Sequence, residues 1–272
     1  MCELFAMNSR KPTAVTYSLN EFSRNGSKLR HNRDGWGIAF ARDREAFLVK
    51  EPHPAFDSAW VKFIAQQPIK TTTAIAHVRY ATRGQHTMEN THPFRRSLGH
   101  RIHLFAHNGT LMEIEQNVDE TALCYLPIGE TDSELAFCML LSMLQRHYAR
   151  HKSPSLETRF DVFFEFCEQM KMLGPSNFLY YDGEVLFAHA HKRIYEEAGE
   201  LVGPKPPGLH IKRCQTNTLQ DTLTYPGLKV EFLDHRTVLL ASVPLDDQGW
   251  EALPEGTVLA LKGGEVLKQY AP

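Results

Sequence analysis

Apolar residues in this chain recur in runs of strand length, and only midway does the pattern stretch to helical length. Residues 2–7, 35–41, 46–49, 73–79 and 102–107 form such runs, several of them closed by turn residues such as Asn108-Gly109. Short apolar runs between turn signals read as strands, because a pleated chain sends successive side chains to opposite faces. Two helices follow. The first is announced by "TDSE", where Thr131 and Glu134 have the spacing of a capping box ahead of "LAFCMLLSML". The second is expected over 156–173, with Phe160, Phe163, Phe164 and Cys167 on its apolar side and a stop at Gly174-Pro175. Strands are then expected again at 177–181, 184–189, 237–242, 257–262 and 265–269, the last two as a hairpin through Gly263-Gly264, while "GPKPPG" at 203–208 reads as a loop.

Strands, a helical pair and strands again imply stacked sheets and helices, with apolar residues on both sheet faces. An α+β fold and a layered αββα arrangement both satisfy the pattern. No repeat and no linker rich in Gly, Ser or Pro divides the chain, so one domain over 1–272 is expected. The balance of 30 Lys plus Arg against 32 Asp plus Glu gives no basic field to draw the chain to nucleic acid or anionic lipid. No run approaches ~18 apolar residues and no leader-like segment opens the chain, so neither a membrane span nor export is expected, and the cytoplasm is.

Five cysteines without CxxC spacing argue against a disulfide framework or a zinc ribbon. Cys138 and Cys167 fall in apolar helical patterns and read as small buried hydrophobes. Cys2 stands apart, directly behind Met1 in "MCELFAMN". Removal of Met1 leaves one residue carrying both a thiol, with a pKa near ~8.5, and an α-amine, with a pKa of about 7.7 to 8.0. Such a residue holds its own nucleophile and its own base.

Three further segments gain meaning beside it. In "AHVRYATRGQHTMENTHPF" an apolar strand delivers Arg79 into a loop with Thr82, Gly84, Asn90 and His92. Arg79 either pairs with a surface carboxylate or grips a substrate carboxylate with its two-pronged donor face. In "LFAHNGTL" the Asn108-Gly109 pair is either a tight turn or an amide and a backbone N–H aimed together at an oxyanion. Asp132 is favoured in a first helical turn by the helix dipole alone, and alternatively faces a substrate ammonium. A carboxylate for Arg79, an ammonium for Asp132 and an acyl carbon for Cys2 together describe a γ-glutamyl amide, glutamine being the simplest.

With "MC" at 1–2, "DGWGIAF" at 34–40, "HVRYATRG" at 77–84, "NTHPF" at 90–94, "AHNG" at 106–109, "TDSE" at 131–134 and "ASVPLDD" at 241–247, the chain resembles the class II glutamine amidotransferases, a branch of the N-terminal nucleophile hydrolases. The resemblance implies a four-layer αββα sandwich of the α+β class and Cys2 as nucleophile once Met1 is lost. It implies Arg79 and Asp132 as binders of the glutamine α-carboxylate and α-amine, Asn108 with Gly109 as the oxyanion hole, and Thr82 and His92 in the substrate loop. It is strongest to short stand-alone members, some of which cleave γ-glutamyl compounds in thiol metabolism. Arg83, where synthase-linked members have a histidine, and "DGWG" imply a different pocket beside the glutamyl site.

The resemblance leaves no room for a synthase domain, so the alternatives are a glutaminase subunit passing ammonia to a separate acceptor or synthase partner protein, or a non-catalytic γ-glutamyl-binding module. Fourteen histidines, six of them between His77 and His107, lack HExxH or a carboxylate-rich ligand cluster. His100 and His103 read as hairpin and strand surface. Neither a metal nor a cofactor is expected. Lys28, Arg30 and Arg33 read as a solvated loop.

Overall fold

The computed structural model describes residues 2–17, 34–55, 58–67, 69–79, 84–118, 121, 123–148, 153–197, 199–214, 223–225, 228–231 and 236–272. Its elements begin with β1 (Glu3–Tyr17), β2 (Trp36–Arg42), β3 (Glu45–Glu51), helix α1 (Ala59–Gln66), β4 (Lys70–Val78), β5 (Phe94–Leu98) and β6 (Arg101–Gly109). Two longer helices follow, α2 (Asp132–Gln145) and α3 (Leu156–Lys171), and then β7 (Ser176–Tyr181), β8 (Leu186–Ala190), β9 (Arg193–Glu197) and β10 (Glu200–Lys205). The remaining strands are β11 (His210–Cys214), β12 (Leu223–Tyr225), β13 (Leu228–Glu231), β14 (Thr237–Ala241), β15 (Trp250–Ala252), β16 (Thr257–Lys262) and β17 (Glu265–Tyr270).

One sheet runs β15-β11-β14-β1-β4-β2-β3, with β13 and β12 attached beyond β1, and a second runs β17-β16-β8-β7-β6-β5. The period of two sorts β1 cleanly: Leu4 and Ala6 face the second sheet, while Phe5 and Met7 face outward. Between the sheets lie mainly Ala and Leu, among them Ala39, Ile75, Leu104, Ala106, Leu179 and Leu240. The outward face of the first sheet, with Trp36, Ile38 and Phe40, is covered by Val61 and Ile64 of α1. The outward face of the second, with Phe105, Phe178, Tyr180 and Phe187, packs on α2 and α3 through Phe137, Leu141, Phe163 and Phe166. The layers are therefore helix, sheet, sheet and helix, the αββα sandwich of the α+β class.

Four local expectations change. Asn108 and Gly109 do not turn the chain: both stay in β6, opposite Asn177 and Ser176 of β7. A Cβ on Gly109 would stand 1.7 Å from the Pro175 carbonyl oxygen, so glycine is required here by close approach rather than by a turn. Residues 203–205 of the expected loop belong to β10, which among the described residues pairs only with β9, an edge position that tolerates Pro204 and its missing N–H. His103 is fully buried rather than at the surface, with Nδ1 2.6 Å from the Tyr180 hydroxyl and Nε2 3.1 Å from the Leu98 carbonyl. Half of the capping box forms: Thr131 Oγ1 accepts from Glu134 N at 3.2 Å, but the Glu134 carboxylate accepts instead from Ile128 N and Gly129 N and pairs with Arg96. On α3 Phe160, Phe163 and Cys167 are buried as expected, and Phe164 is partly so.

Candidate active site

Three strand ends meet at one point because of the sheet register. Cys2 immediately precedes β1, and Glu3 is paired with Val78, so Arg79 emerges from β4 directly beside Cys2. In the facing sheet β6 ends at Gly109, and the Asn108 carboxamide crosses the gap to donate to the Cys2 carbonyl at 2.8 Å. The same nitrogen donates to Ser242 Oγ at 3.2 Å. Cys2 is half-buried and Asn108 nearly fully so.

Arg79 is buried, and its guanidinium donates to the carbonyls of Gln85 (3.1 Å) and Gly84 (3.4 Å). Its main-chain N–H bonds Gly35 O at 2.8 Å, which fastens the "DGWG" segment to the end of β4. Burial draws the guanidinium below its ordinary pKa, against the opposing influence of Cys2, Asp34 and Asp132. Asp132 opens α2, its Oδ2 accepting from Leu111 N at 2.7 Å and its Oδ1 from its neighbour Ser133 N at 2.8 Å. It therefore accepts from a first-turn N–H of its own helix while its charge also acts on Arg79, so the helical role does not exclude a role toward a substrate. A cationic group with an anionic group acting on it stands beside Cys2, and an amide donor reaches the Cys2 carbonyl from the facing sheet.

The loop between Arg79 and β5 is held from several sides. Asn90 donates from Nδ2 to the Gln85 carbonyl at 3.1 Å and accepts at Oδ1 from Glu130 N at 2.8 Å, tying the loop to the segment ahead of α2. Lys50 Nζ donates to the Thr91 carbonyl at 2.8 Å. His92 does not present its ring as a polar surface: it is buried, packed 4.2 Å from the His77 ring and 4.4 Å from Phe94, and among the described residues neither ring nitrogen has a hydrogen-bond partner. Burial keeps both imidazoles neutral, pushing His77 down to about 3 and His92 well below its ordinary value. A Cβ on Gly37 would meet the His92 carbonyl at 2.3 Å, so the second glycine of "DGWG" admits this packed loop against β2. Thr82 and Arg83 lie outside the described residues, as do Lys28, Arg30 and Arg33.

Along residues 1–272 the chain matches the family model for glutamine amidotransferases class-II. The chain belongs to the class II glutamine amidotransferases. Such enzymes act on the side-chain amide of glutamine. It is 35% identical over 195 residues, 72% of this chain and 75% of the relative, to the protein "Putative glutamine amidotransferase YafJ" of Escherichia coli. A crystal structure described as a "predicted glutamine amidotransferase" of Pseudomonas aeruginosa superposes with a TM-score of 0.71 at 31% identity, covering 98% of this chain and 100% of that one. The glutamine phosphoribosylpyrophosphate amidotransferase of Bacillus subtilis, at 16% identity, shares the fold with a TM-score of 0.60, and this chain spans 49% of its length.

In this class II glutamine amidotransferase, sequence reasoning did not single out Asn177, Arg193 or Ser242. All three are buried around Asn108: Asn177 Nδ2 donates to the Asn108 carbonyl at 3.0 Å, and Arg193 Nη1 to the Ser242 carbonyl at 2.6 Å. The only signal was that Ser242 falls within "ASVPLDD", one of the segments carrying the family resemblance. Among the described residues no helix is long and apolar enough to cross a membrane.

Proposed function

We propose that this amidotransferase hydrolyses the γ-glutamyl amide bond of glutamine or of a related γ-glutamyl compound through a thioester on Cys2. Loss of Met1 frees the Cys2 α-amine, which takes the thiol proton as the thiolate attacks the amide carbon. The oxyanion that develops is received by the Asn108 carboxamide and the Gly109 N–H. The N–H of Asn108 that rests on the Cys2 carbonyl is the one exchanged onto it. The α-ammonium of Cys2 then protonates the leaving amine, the C–N bond breaks, and a thioester remains. Water adds to the thioester with the α-amine again as base, releasing glutamate and restoring the thiol. Arg79 holds the substrate α-carboxylate and Asp132 its α-ammonium, while Thr82 and His92 belong to the loop that shapes the site. Residues 1–272 act as one domain, working in the cytoplasm, where thiols stay reduced.

One observation carries this reading: the Asn108 carboxamide reaches from the facing sheet to the Cys2 carbonyl at 2.8 Å, while Arg79, leaving β4 beside Cys2, lies in the field of both Cys2 and Asp132. The experiment is glutamate release from glutamine and from γ-glutamyl amides by protein whose loss of Met1 is verified by mass spectrometry. Cys2→Ala is expected to abolish release and leave the fold intact. Wild-type release by that variant refutes the mechanism.

A further inference from the structure

The hydrogen bonds around Asn108 close into a circuit of buried residues beyond those proposed to touch the substrate. Asn177 donates from Nδ2 both to the Asn108 carbonyl (3.0 Å) and to the Lys192 carbonyl (2.7 Å), and its Oδ1 accepts from His191 N (2.8 Å). The next residue, Arg193, reaches from Nη1 to the Ser242 carbonyl at 2.6 Å. Ser242 Oγ, fully buried, accepts from Leu4 N at 3.0 Å and from Asn108 Nδ2 at 3.2 Å. Ser242 N in turn donates to the Leu4 carbonyl at 3.0 Å, which locks this residue to β1, the strand that follows Cys2. The main chain of Asn108 is thus held from β7 and its carboxamide from the end of β14.

An asparagine amide carries two N–H donors on a terminal torsion that is intrinsically loose. Here one N–H lies on Ser242 Oγ and the other on the Cys2 carbonyl. When the second is exchanged onto an oxyanion, Ser242 is the acceptor that remains to hold the nitrogen, rather than the amide oxygen, toward the reacting carbon.

We propose that Ser242 is a positioning residue for oxyanion stabilisation, orienting the Asn108 carboxamide, with Asn177 and Arg193 bracing the circuit. This rests on the reading of Cys2 as nucleophile and Asn108 as oxyanion donor. The test is steady-state glutamate release from glutamine by wild type, Cys2→Ala, Asn108→Ala, Ser242→Ala, Ser242→Thr and the Asn108→Ala/Ser242→Ala double variant. Ser242→Ala is expected to lower kcat about 10- to 100-fold with KM within about twofold, since only the transition-state geometry is disturbed. Ser242→Thr, which keeps the hydroxyl, recovers most of the rate. The double variant is no slower than Asn108→Ala alone, because Ser242 acts through Asn108.

A kcat for Ser242→Ala within about twofold of wild type overturns the proposal. So do losses that multiply in the double variant, which mark a purely structural role. If Ser242→Ala fails to fold, Ser242→Cys, close in size and a weak acceptor, carries the same expectation. Activity that survives Cys2→Ala or Asn108→Ala overturns the underlying reading instead, so the two failures are distinguishable.

Discussion

Lowering the pH from 7 to 5 should remove a large part of the folding free energy, because several histidines are buried in the neutral form. Burial pushes His77 down to about 3, His103 to about 4 and His189 to about 3. Burial dominates at each ring: His77 also faces His107 and Arg79, His189 also faces His191, Lys171 and His107, and at His103 burial outweighs the opposing pull of Asp182 and the Leu98 carbonyl, with Arg101 and Arg159 as smaller additions. In the unfolded chain each ring takes a proton as the pH falls through about 6.5, while in the folded chain it does not. The unfolded state therefore binds more protons, and stability that is fully present above pH 6.5 is lost below it. Each residue contributes about 1.4 kcal/mol per pH unit in that window, so the three together cost on the order of 5 kcal/mol between pH 7 and pH 5. Against a typical total of about 5–15 kcal/mol this is close to unfolding. His92 shifts in the same direction and adds to the loss. Glu184, held down at about 2 by Lys262 and Arg101, responds only below its ordinary value of 4.5, so the window above pH 5 reports the histidines. Urea unfolding followed by tryptophan fluorescence at pH 7, 6, 5.5 and 5 measures the effect, and His103→Gln should flatten the slope by one proton's worth. A change of less than about 1.4 kcal/mol across that range, or folded-state imidazole NMR signals titrating near pH 6.5 for these residues, refutes the argument.

Two substitutions probe the site. Gly109→Ala places a methyl 1.7 Å from the Pro175 carbonyl oxygen and 2.7 Å from His107 Nε2, so β6 and β7 must part. A loss of at least about 1–3 kcal/mol in unfolding free energy is expected together with loss of glutamate release, and an unchanged melting temperature would contradict it. Asp132→Asn keeps an acceptor for Leu111 N or Ser133 N but removes the charge facing Arg79, so the fold should persist while kcat/KM for glutamine falls roughly 10- to 150-fold, the worth of one charge-assisted hydrogen bond. A kcat/KM within about twofold of wild type would remove Asp132 from substrate binding.

What was legible in the sequence is what depends on near neighbours. Strand-length apolar runs foretold β2, β4, β6, β14, β16 and β17, since the period of two is local. Thr131 announced α2 because an N-cap bonds an N–H three residues on. Arg79, Asp132, Asn108 and Cys2 could be singled out because their residue types and order suit one substrate; in the fold Asn108 reaches the Cys2 carbonyl and Arg79 leaves β4 beside it. Partnership across the sandwich was not legible. Whether Asn108-Gly109 turns or continues as strand depends on β7 lying alongside, and Glu134 leaves its helix cap because Arg96, 38 residues away in sequence, offers a charged partner. His92 reads as a loop polar residue until the His77 and Phe94 rings close around it. Beyond its place in "ASVPLDD", Ser242 carries no signature of its contacts, since its donors Leu4 and Asn108 lie 238 and 134 residues away. The amino-acid sequence by itself determined the strand and helix segments and which residues have the chemistry to serve a γ-glutamyl substrate, through periodicity and residue chemistry. Only the tertiary structure decided which polar atoms meet, because a hydrogen bond is made at about 3 Å in space with no regard for separation along the chain.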